Sequence, residues 1–242
     1  MELSVIVPVF NEAGNIAPLI DEIERVLGSN VDHEIIIVDD GSTDDGLAEI
    51  SSLIRNDARL RILRHSYRSG QSAAILTGVR AARGAWIVTL DGDGQNPPTE
   101  IPRMLMHRDS GGNPDTTALI AGVRRKRNDK WLRRWSSRIA NGLRSRLLND
   151  GCPDTGCGLK LVRRDVFLSL PHFNHMHRFL PALVQRAGHE VSLVEVSHRP
   201  RRRGRSKYGI SNRLWVGIVD IAGVMWLNRR ACHVEAREFT HE

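Results

Sequence analysis

Four short apolar runs, separated by stretches of helical periodicity, constrain the fold of this chain more than any other feature. Continuous runs of Val, Ile and Leu are typical of strands buried on both faces, as in parallel sheets. A helix is the usual connection between two parallel strands. The predicted strands are LSVIVPV, HEIIIVDD, LRIL and AWIVTL, and the predicted helices between them are residues 15–27, 44–54 and 69–82. The sequence therefore predicts an α/β fold with an open, mostly parallel sheet flanked by helices on both faces.

The second half of the chain is less regular. We expect a strand at residues 117–122, a basic amphipathic helix at 130–148, a helix at 177–188 and a half-buried strand at 190–198. No internal repeat and no clear linker divides this part from the first half. A single domain over residues 1–210 is therefore expected.

The apolar stretch at residues 214–227 is short for a transmembrane helix. As a helix it would reach roughly 21 Å, against about 30 Å for a hydrocarbon core, and Asp220 lies in its middle. It is predicted as a packed or interfacial helix within a C-terminal segment, residues 211–242. The N-terminal residues lack the basic region of a signal peptide and are predicted as a buried strand.

The charge balance of the chain favours an anionic partner. Its 242 residues include 35 Lys and Arg against 28 Asp and Glu, a formal net charge of +7. Nucleic acid, acidic lipid and phosphorylated substrates all suit such a balance. The three cysteines are an odd number without paired spacing, which argues against a disulfide scaffold and is typical of a reducing compartment. Their spacing also does not match a zinc finger.

Polar clusters follow three of the predicted strands: PVFNE, DDGSTD and DGDGQ. Ligands of parallel sheets bind beyond the carboxyl ends of the strands, so these clusters predict one shared site. Asp91 and Asp93 would repel each other there unless a divalent cation lay between them. Mg²⁺ and Mn²⁺ prefer oxygen ligands, and Gln95 offers an amide oxygen. The alternative for DGDGQ is a turn that caps the helix beginning near Pro97.

Two further polar segments each allow two interpretations. DDGSTD suits either hydrogen bonds to a ribose or base, or simple helix capping. HFNHMHRF lacks the spacing of a zinc site, and His177 and Arg178 there suit either anion binding or a helix start.

Six of the nine residues from 199 to 207 are Arg or Lys, in a segment without periodicity. Such a loop suits folding over phosphates, because Arg binds them as a fork and Lys as a point charge. A solvated surface and nucleic-acid binding are the competing uses. The chain has neither the G-x-G-x-x-G of dinucleotide oxidoreductases nor a P-loop.

VPVFNE, IIIVDDGSTD, DGDGQ, DTGCGLKLVRRDV, HRFLPAL and RGRSKYG occur in this order along the chain. Together they resemble the polyprenyl-phosphate glycosyltransferases, including the dolichol-phosphate mannosyltransferases, within family 2 of the inverting glycosyltransferases. The match covers roughly residues 2–215. It implies a nucleotide-diphospho-sugar transferase fold, a metal-dependent hexosyltransferase activity, a nucleotide-sugar donor and a lipid-phosphate acceptor.

The resemblance also implies site residues. Those expected to bind the donor are Pro8, Phe10, Glu12, Val38, Asp40, Asp91, Gly92, Asp93, Arg124, Arg201 and Lys207. The expected metal ligands are Asp91, Asp93 and Gln95, with Mg²⁺ or Mn²⁺ as the cofactor. The expected catalytic residues are Asp93, Arg124, Arg178 and Lys207.

An acceptor phosphate is already anionic and needs positioning more than a general base. Arg178 and the basic loop are expected to hold it. A sugar or glycolipid hydroxyl acceptor would need a base, for which Asp154 is the candidate. A non-catalytic basic binding module is the third alternative.

The resemblance further implies partners and a location. It suits a peripheral protein at the cytoplasmic face of a membrane, with the basic helix on an anionic membrane surface and the C-terminal helix either on that surface or packed in the core. It leaves room for a separate small membrane-protein subunit and implies no nucleic-acid partner.

Overall fold

A seven-stranded sheet forms the centre of the molecule, in a computed structural model that describes residues 1–54, 58–110, 116–124, 144–201 and 211–230. The strands are β1 (Leu3–Val9), β2 (His33–Asp39), β3 (Leu60–Arg64), β4 (Trp86–Thr89), β5 (Thr117–Arg124), β6 (Lys160–Arg163) and β7 (Glu190–Val196). The helices are α1 (Ile16–Leu27), α2 (Gly46–Ile54), α3 (Gln71–Ala81), α4 (Ile101–Ser110), α5 (Arg164–Ser169), α6 (Leu180–Arg186) and α7 (Ser211–Arg229).

The strand order is β3-β2-β1-β4-β6-β5-β7. The first four strands in this order pair in parallel, as does β5 with β7, and β6 is antiparallel to both of its neighbours. The predicted mostly parallel sheet is therefore confirmed. Strand β6 was not predicted, because its four residues follow a turn-rich stretch and are too few to show a period.

Two apolar layers cover the sheet, one on each face. Neighbouring residues of a strand point to opposite faces, so Ile35 and Ile37 enter one layer while Ile36 and Val38 enter the other. Helices α1, α2 and α4 pack on the first face, and α3, α5, α6 and α7 pack on the second. This burial on both sides explains why the strands read as continuous apolar runs.

The carboxyl ends of β1, β2 and β4 meet at one edge of the sheet. In the register, Val9 pairs with Asp39 and Ile6 pairs with Thr89. The chain continues the ladder beyond β4, since Leu90 N–H donates to the Ile6 carbonyl at 3.0 Å. Strands β2 and β3 lie on one side of β1, and β4 lies on its other side. The crevice between β1 and β4 is the place where open α/β sheets bind their ligands.

The later elements follow the predictions with shifted boundaries. The helix expected at residues 177–188 begins at Leu180, preceded by a 3₁₀ turn at Met176–Arg178. Pro181 lies in the first turn of α6, where its missing N–H is tolerated. Helix α7 contains the predicted helix at 214–227.

The predicted basic helix at 130–148 lies mostly outside the described residues. Its described part, residues 144–148, is helical. In the part of the chain that the structure describes, no helix has both the length and the apolarity to cross a bilayer.

Candidate functional site

Asp91 lies at the crevice, directly after β4, and its carboxylate is closely packed. Gln71 Nε2, at the start of α3, donates to Asp91 Oδ1 at 2.9 Å. Gly158 faces the same carboxylate so closely that a Cβ at this position would be 2.2 Å from Asp91 Oδ2. Burial, reinforced by the charge of Asp93, raises the pKa of Asp91 from 3.8 to about 6. An ionised Asp91 is therefore unfavourable here unless a cation accompanies it.

Lys160 is a buried cation near this carboxylate that was not predicted from the sequence. It is 3% exposed, and its Nζ donates to the carbonyl oxygens of Thr155 and Cys157. Burial lowers the pKa of Lys160, while nearby groups including Asp91 oppose that change. The available signal was a single lysine inside the apolar segment GLKLV.

The loop between β4 and α4 carries Asp93 and Gln95. Asp93 Oδ1 accepts the Gln95 backbone N–H at 3.1 Å, across Gly94, whose φ of +68° favours glycine. Asp93 Oδ2 lies 3.4 Å from an Arg201 guanidinium nitrogen. The same nitrogen donates to Glu12 Oε1 at 2.6 Å. Arg201 thus joins the ends of β1 and β4 through two carboxylates.

Residues 197–201, here called the strap, follow β7 and run along this loop. Gln95 Nε2 lies 3.4 Å from His198 Nε2 and donates to the Arg199 carbonyl at 3.4 Å. The Gln95 amide oxygen is used in neither contact and is the atom suited to a cation. His198 was not predicted, because one histidine in a basic loop carries no pattern.

The residues expected to contact a nucleoside lie at the ends of β1 and β2. Pro8 and Val38 are partners in the β1–β2 register. Gly92 lies against β1, where a Cβ would be 3.2 Å from the Pro8 carbonyl oxygen. The Arg68 guanidinium lies over the Phe10 ring at 4.4 Å from its centroid, a cation–π contact that the sequence did not predict.

Asp40 holds the loop before α3. Its Oδ1 accepts the Ser69 N–H at 2.7 Å and lies 2.8 Å from His65 Nδ1. Its Oδ2 accepts the Gly70 N–H at 2.8 Å. The carboxylate is 3% exposed and therefore has a clear structural role beside the predicted donor contact.

Arg124 and Asp154 form a bidentate ion pair. Arg124 Nε donates to Asp154 Oδ2 and a terminal nitrogen donates to Oδ1, both at 2.6 Å. The Arg124 backbone N–H also donates to Asp154 Oδ2, at 3.3 Å. Burial opposes the charge on Arg124, but the pair with Asp154 raises the pKa of the guanidinium above its usual value. Both oxygens of Asp154 are thus committed to one arginine.

Arg178 ends the 3₁₀ turn beside the start of α3. Its neighbour His177 has Nδ1 2.8 Å from Ser72 Oγ. Burial, followed by the charges of Lys160 and Arg178, lowers the pKa of His177 well below 6.5. His177 is therefore neutral at pH 7.

The structure groups the predicted residues unevenly. Asp91, Gly92, Asp93 and Gln95 share one loop, which Arg201 contacts through Asp93. Glu12 binds Arg201, whereas Arg178 lies on a separate turn. Lys207 lies outside the described residues. Within the described ranges, no three or more His, Cys, Asp or Glu side chains converge as a metal site. The two carboxylates and one amide suit a cation that takes further ligands from substrate phosphates.

Proteins similar in sequence include polyprenyl-phosphate sugar transferases. The chain is 37% identical over 237 residues to a dodecaprenyl-phosphate galacturonate synthase of Rhizobium johnstonii, covering 95% of this chain and 68% of the relative. It is 34% identical over 211 residues to an undecaprenyl-phosphate 4-deoxy-4-formamido-L-arabinose transferase of Edwardsiella ictaluri, covering 86% of this chain and 63% of the relative. The chain thus spans about two thirds of the length of these relatives.

Solved structures share the fold. Glucosyl-3-phosphoglycerate synthase of Mycobacterium tuberculosis, in complex with Mn²⁺ and UDP-glucose, superposes with a TM-score of 0.70 at 19% identity, covering 94% of this chain and 78% of that one. The complex of that enzyme with Mg²⁺ and UDP gives a TM-score of 0.68 at 21% identity, covering 92% and 79%. The predicted nucleotide-diphospho-sugar transferase fold is confirmed. Glycosyl transferase family 2 matches residues 4–170, and the chain therefore belongs to this family.

Proposed function

We propose that this protein transfers a sugar from a nucleotide-diphosphate-sugar to a polyprenyl phosphate, with inversion at the anomeric carbon. One observation carries the proposal: Asp91 and Asp93 lie at the crevice between β1 and β4, with Arg201 3.4 Å from Asp93. A cation on the carboxylates and a guanidinium beside them are complementary to a diphosphate. Family membership and the names of the similar proteins supply the reaction class.

The donor site is proposed on the loop after β4 and the ends of the neighbouring strands. The nucleoside would lie against Pro8, Phe10, Val38 and Asp40, at the ends of β1 and β2, where the Arg68 guanidinium lies over the Phe10 ring. The diphosphate would lie between the carboxylate pair and the basic side chains. The proposed donor residues are Pro8, Phe10, Glu12, Val38, Asp40, Asp91, Gly92, Asp93, Arg124, Arg201 and Lys207.

Asp91, Asp93 and Gln95 fit a Mg²⁺ or Mn²⁺ ion. The raised pKa of Asp91 marks a carboxylate whose negative charge lacks sufficient compensation in the described protein. When bound, such a cation supplies neutralisation of the leaving nucleoside diphosphate. Arg201 would exchange its Glu12 and Asp93 contacts for the phosphate oxygens.

The state of Asp154 favours a phosphate acceptor over a hydroxyl acceptor. A hydroxyl nucleophile needs a general base, and both oxygens of the candidate base already accept hydrogen bonds from Arg124 at 2.6 Å. A phosphate monoester is anionic at neutral pH and needs only positioning. Arg178, assisted by Lys207, is proposed to hold it in line with the leaving group.

A lipid acceptor requires the protein to reach a membrane. Helix α7 exposes apolar side chains, with Ile218 50%, Val219 66% and Trp226 60% exposed. We propose that this face lies on the membrane surface, with residues 1–210 as the catalytic domain and 211–242 as the membrane-facing segment. The cytoplasmic face and a small membrane subunit stay predictions.

Nucleoside diphosphate release, measured over a panel of nucleotide-sugars with Mn²⁺, tests the proposal. Metal-dependent release that requires polyprenyl phosphate supports it. Release that requires a sugar or glycolipid hydroxyl instead supports the alternative acceptor. If calorimetry detects no binding of any nucleotide-sugar, catalysis is excluded and a basic binding module is favoured.

A further inference from the structure

The strap is bonded to the metal loop, residues 91–95, through Arg199. The Arg199 N–H donates to the Gln95 carbonyl at 3.0 Å, and Gln95 Nε2 returns a hydrogen bond to the Arg199 carbonyl at 3.4 Å. Arg199 Nε donates to the Gly94 carbonyl. One residue thus bonds two consecutive carbonyls of this loop.

The remaining nitrogens of the Arg199 guanidinium bind Glu22 on α1. One donates to Oε1 at 3.0 Å and the other to Oε2 at 2.7 Å, a bidentate pair between residues far apart in sequence. The two side chains are 25% and 12% exposed. Charge-assisted forks of this kind fix both position and orientation. Helix α1, packed on the sheet, therefore holds Arg199 at the loop.

The metal loop needs this external support because its internal bonds are few and its charges repel. Its internal hydrogen bonds include a long one from the Gly94 N–H to the Asp91 carbonyl at 3.4 Å and the bond between Asp93 and Gln95. The hydrogen bond from the Arg199 guanidinium to the Gly94 carbonyl limits how far the two carboxylates of this loop can move apart.

We propose that Arg199, oriented by Glu22, is a positioning residue that sets the spacing of Asp91, Asp93 and Gln95 for the cation. This role rests on the proposed function and separates Arg199 from Arg201. The charge of Arg199 is neutralised by Glu22, whereas Arg201 contacts the carboxylate that faces the donor. Groups that orient metal ligands typically change metal affinity by about 10- to 100-fold when they are removed.

The test measures Mn²⁺ dissociation constants by electron paramagnetic resonance, with UDP present, alongside melting temperatures. Arg199→Met is expected to weaken Mn²⁺ binding by about 10- to 100-fold, and Glu22→Gln by about tenfold. Arg199→Lys keeps the charge but loses the fork, so an intermediate value is expected. Glu24→Gln is the matched control, because Glu24 lies on the same helix and binds Arg59 at 2.7 Å, away from the loop. It should leave the Mn²⁺ constant within about twofold.

Two results overturn this inference and leave the proposed function intact. In the first, Glu22→Gln and Arg199→Met both bind Mn²⁺ like the wild type. In the second, Glu24→Gln weakens Mn²⁺ binding as strongly as Glu22→Gln does. If Arg199→Met does not fold, the Glu22→Gln and Glu24→Gln pair decides the matter. A wild-type protein that binds no Mn²⁺, alone or with any nucleoside diphosphate of a panel, overturns the proposed function, and this inference with it.

Discussion

A Cβ at Gly158 would lie 2.2 Å from Asp91 Oδ2 and 2.4 Å from Asp91 Cγ, a distance that no side chain tolerates. The backbone of Gly158 is held beside Asp91 by neighbouring contacts, since Thr89 Oγ1 donates to the Gly158 carbonyl at 2.7 Å. Strand β6 then pairs with β4 from Lys160 onward. The glycine is therefore required by the position of the carboxylate and not by its own backbone angles.

Gly158→Ala should displace the Asp91 carboxylate and lower kcat/KM by about 100-fold, because a shift of about 1 Å in a reacting site has effects of this size. Gly156→Ala is the control, since its Cβ would be 3.4 Å from an Arg124 nitrogen, close to ordinary contact. Steady-state kinetics on both variants checks the prediction. Equal activities would mean that the position of Asp91 is unimportant.

Asp91→Asn should stabilise the metal-free protein at pH 8. Unfolded Asp91 ionises near pH 3.8, whereas the folded group keeps its proton up to about pH 6. Between these values the folded state binds more protons, so its stability falls as pH rises, by about 2 to 3 kcal/mol in total. Asn cannot ionise and avoids this loss.

Urea unfolding in a chelator at pH 4 and pH 8 measures this effect. The variant should exceed the wild type at pH 8 and match it at pH 4. A variant less stable than the wild type at both pH values would show that the ionised carboxylate stabilises the fold.

Binding of Mn²⁺ should weaken in acid, because the cation and a proton compete for Asp91. With a pKa of about 6 for Asp91, affinity should be nearly constant above pH 7 and fall about tenfold per pH unit below pH 5. Titrations by electron paramagnetic resonance from pH 4.5 to 8 give the profile. A midpoint near pH 4 would mean that Asp91 has an ordinary pKa in solution.

Asp154→Asn distinguishes the two acceptor classes. As the partner of Arg124, Asp154 would position a proposed donor contact, so its loss should reduce kcat/KM by about 10- to 100-fold. As a general base for a hydroxyl, its loss would remove most of kcat and the basic limb of the pH profile. Kinetics with polyprenyl phosphate over pH 6 to 9 gives both readouts.

Lys207→Ala should lower activity without unfolding the protein, because a lysine that neutralises phosphate acts mainly in the transition state. Kinetic constants and melting temperature are measured together. Asp93→Asn provides the reference for complete loss of the metal site, and abolished turnover with an intact fold is expected of it. Unchanged kinetic constants in Lys207→Ala would favour the alternative interpretation, in which the basic loop is a solvated surface.

The sequence alone determined the alternation of strands and helices and the edge of the sheet at which the candidate site lies. It did so because burial on both faces leaves continuous apolar runs, and because parallel strands place their carboxyl ends together. The loop at residues 91–95 was predicted to bind a metal for a related reason, because two carboxylates, Asp91 and Asp93, follow a run of buried residues.

Only the tertiary structure decided which polar groups meet. Arg124 binds Asp154 thirty residues away, and Arg199 binds Glu22 at a separation of 177 residues. Such contacts leave no period in the sequence, because one charged residue in a loop looks the same whether it faces solvent, substrate or another loop. The buried position of Lys160 and the anchoring role of Asp40 likewise depend on how β6 and the loop before α3 pack.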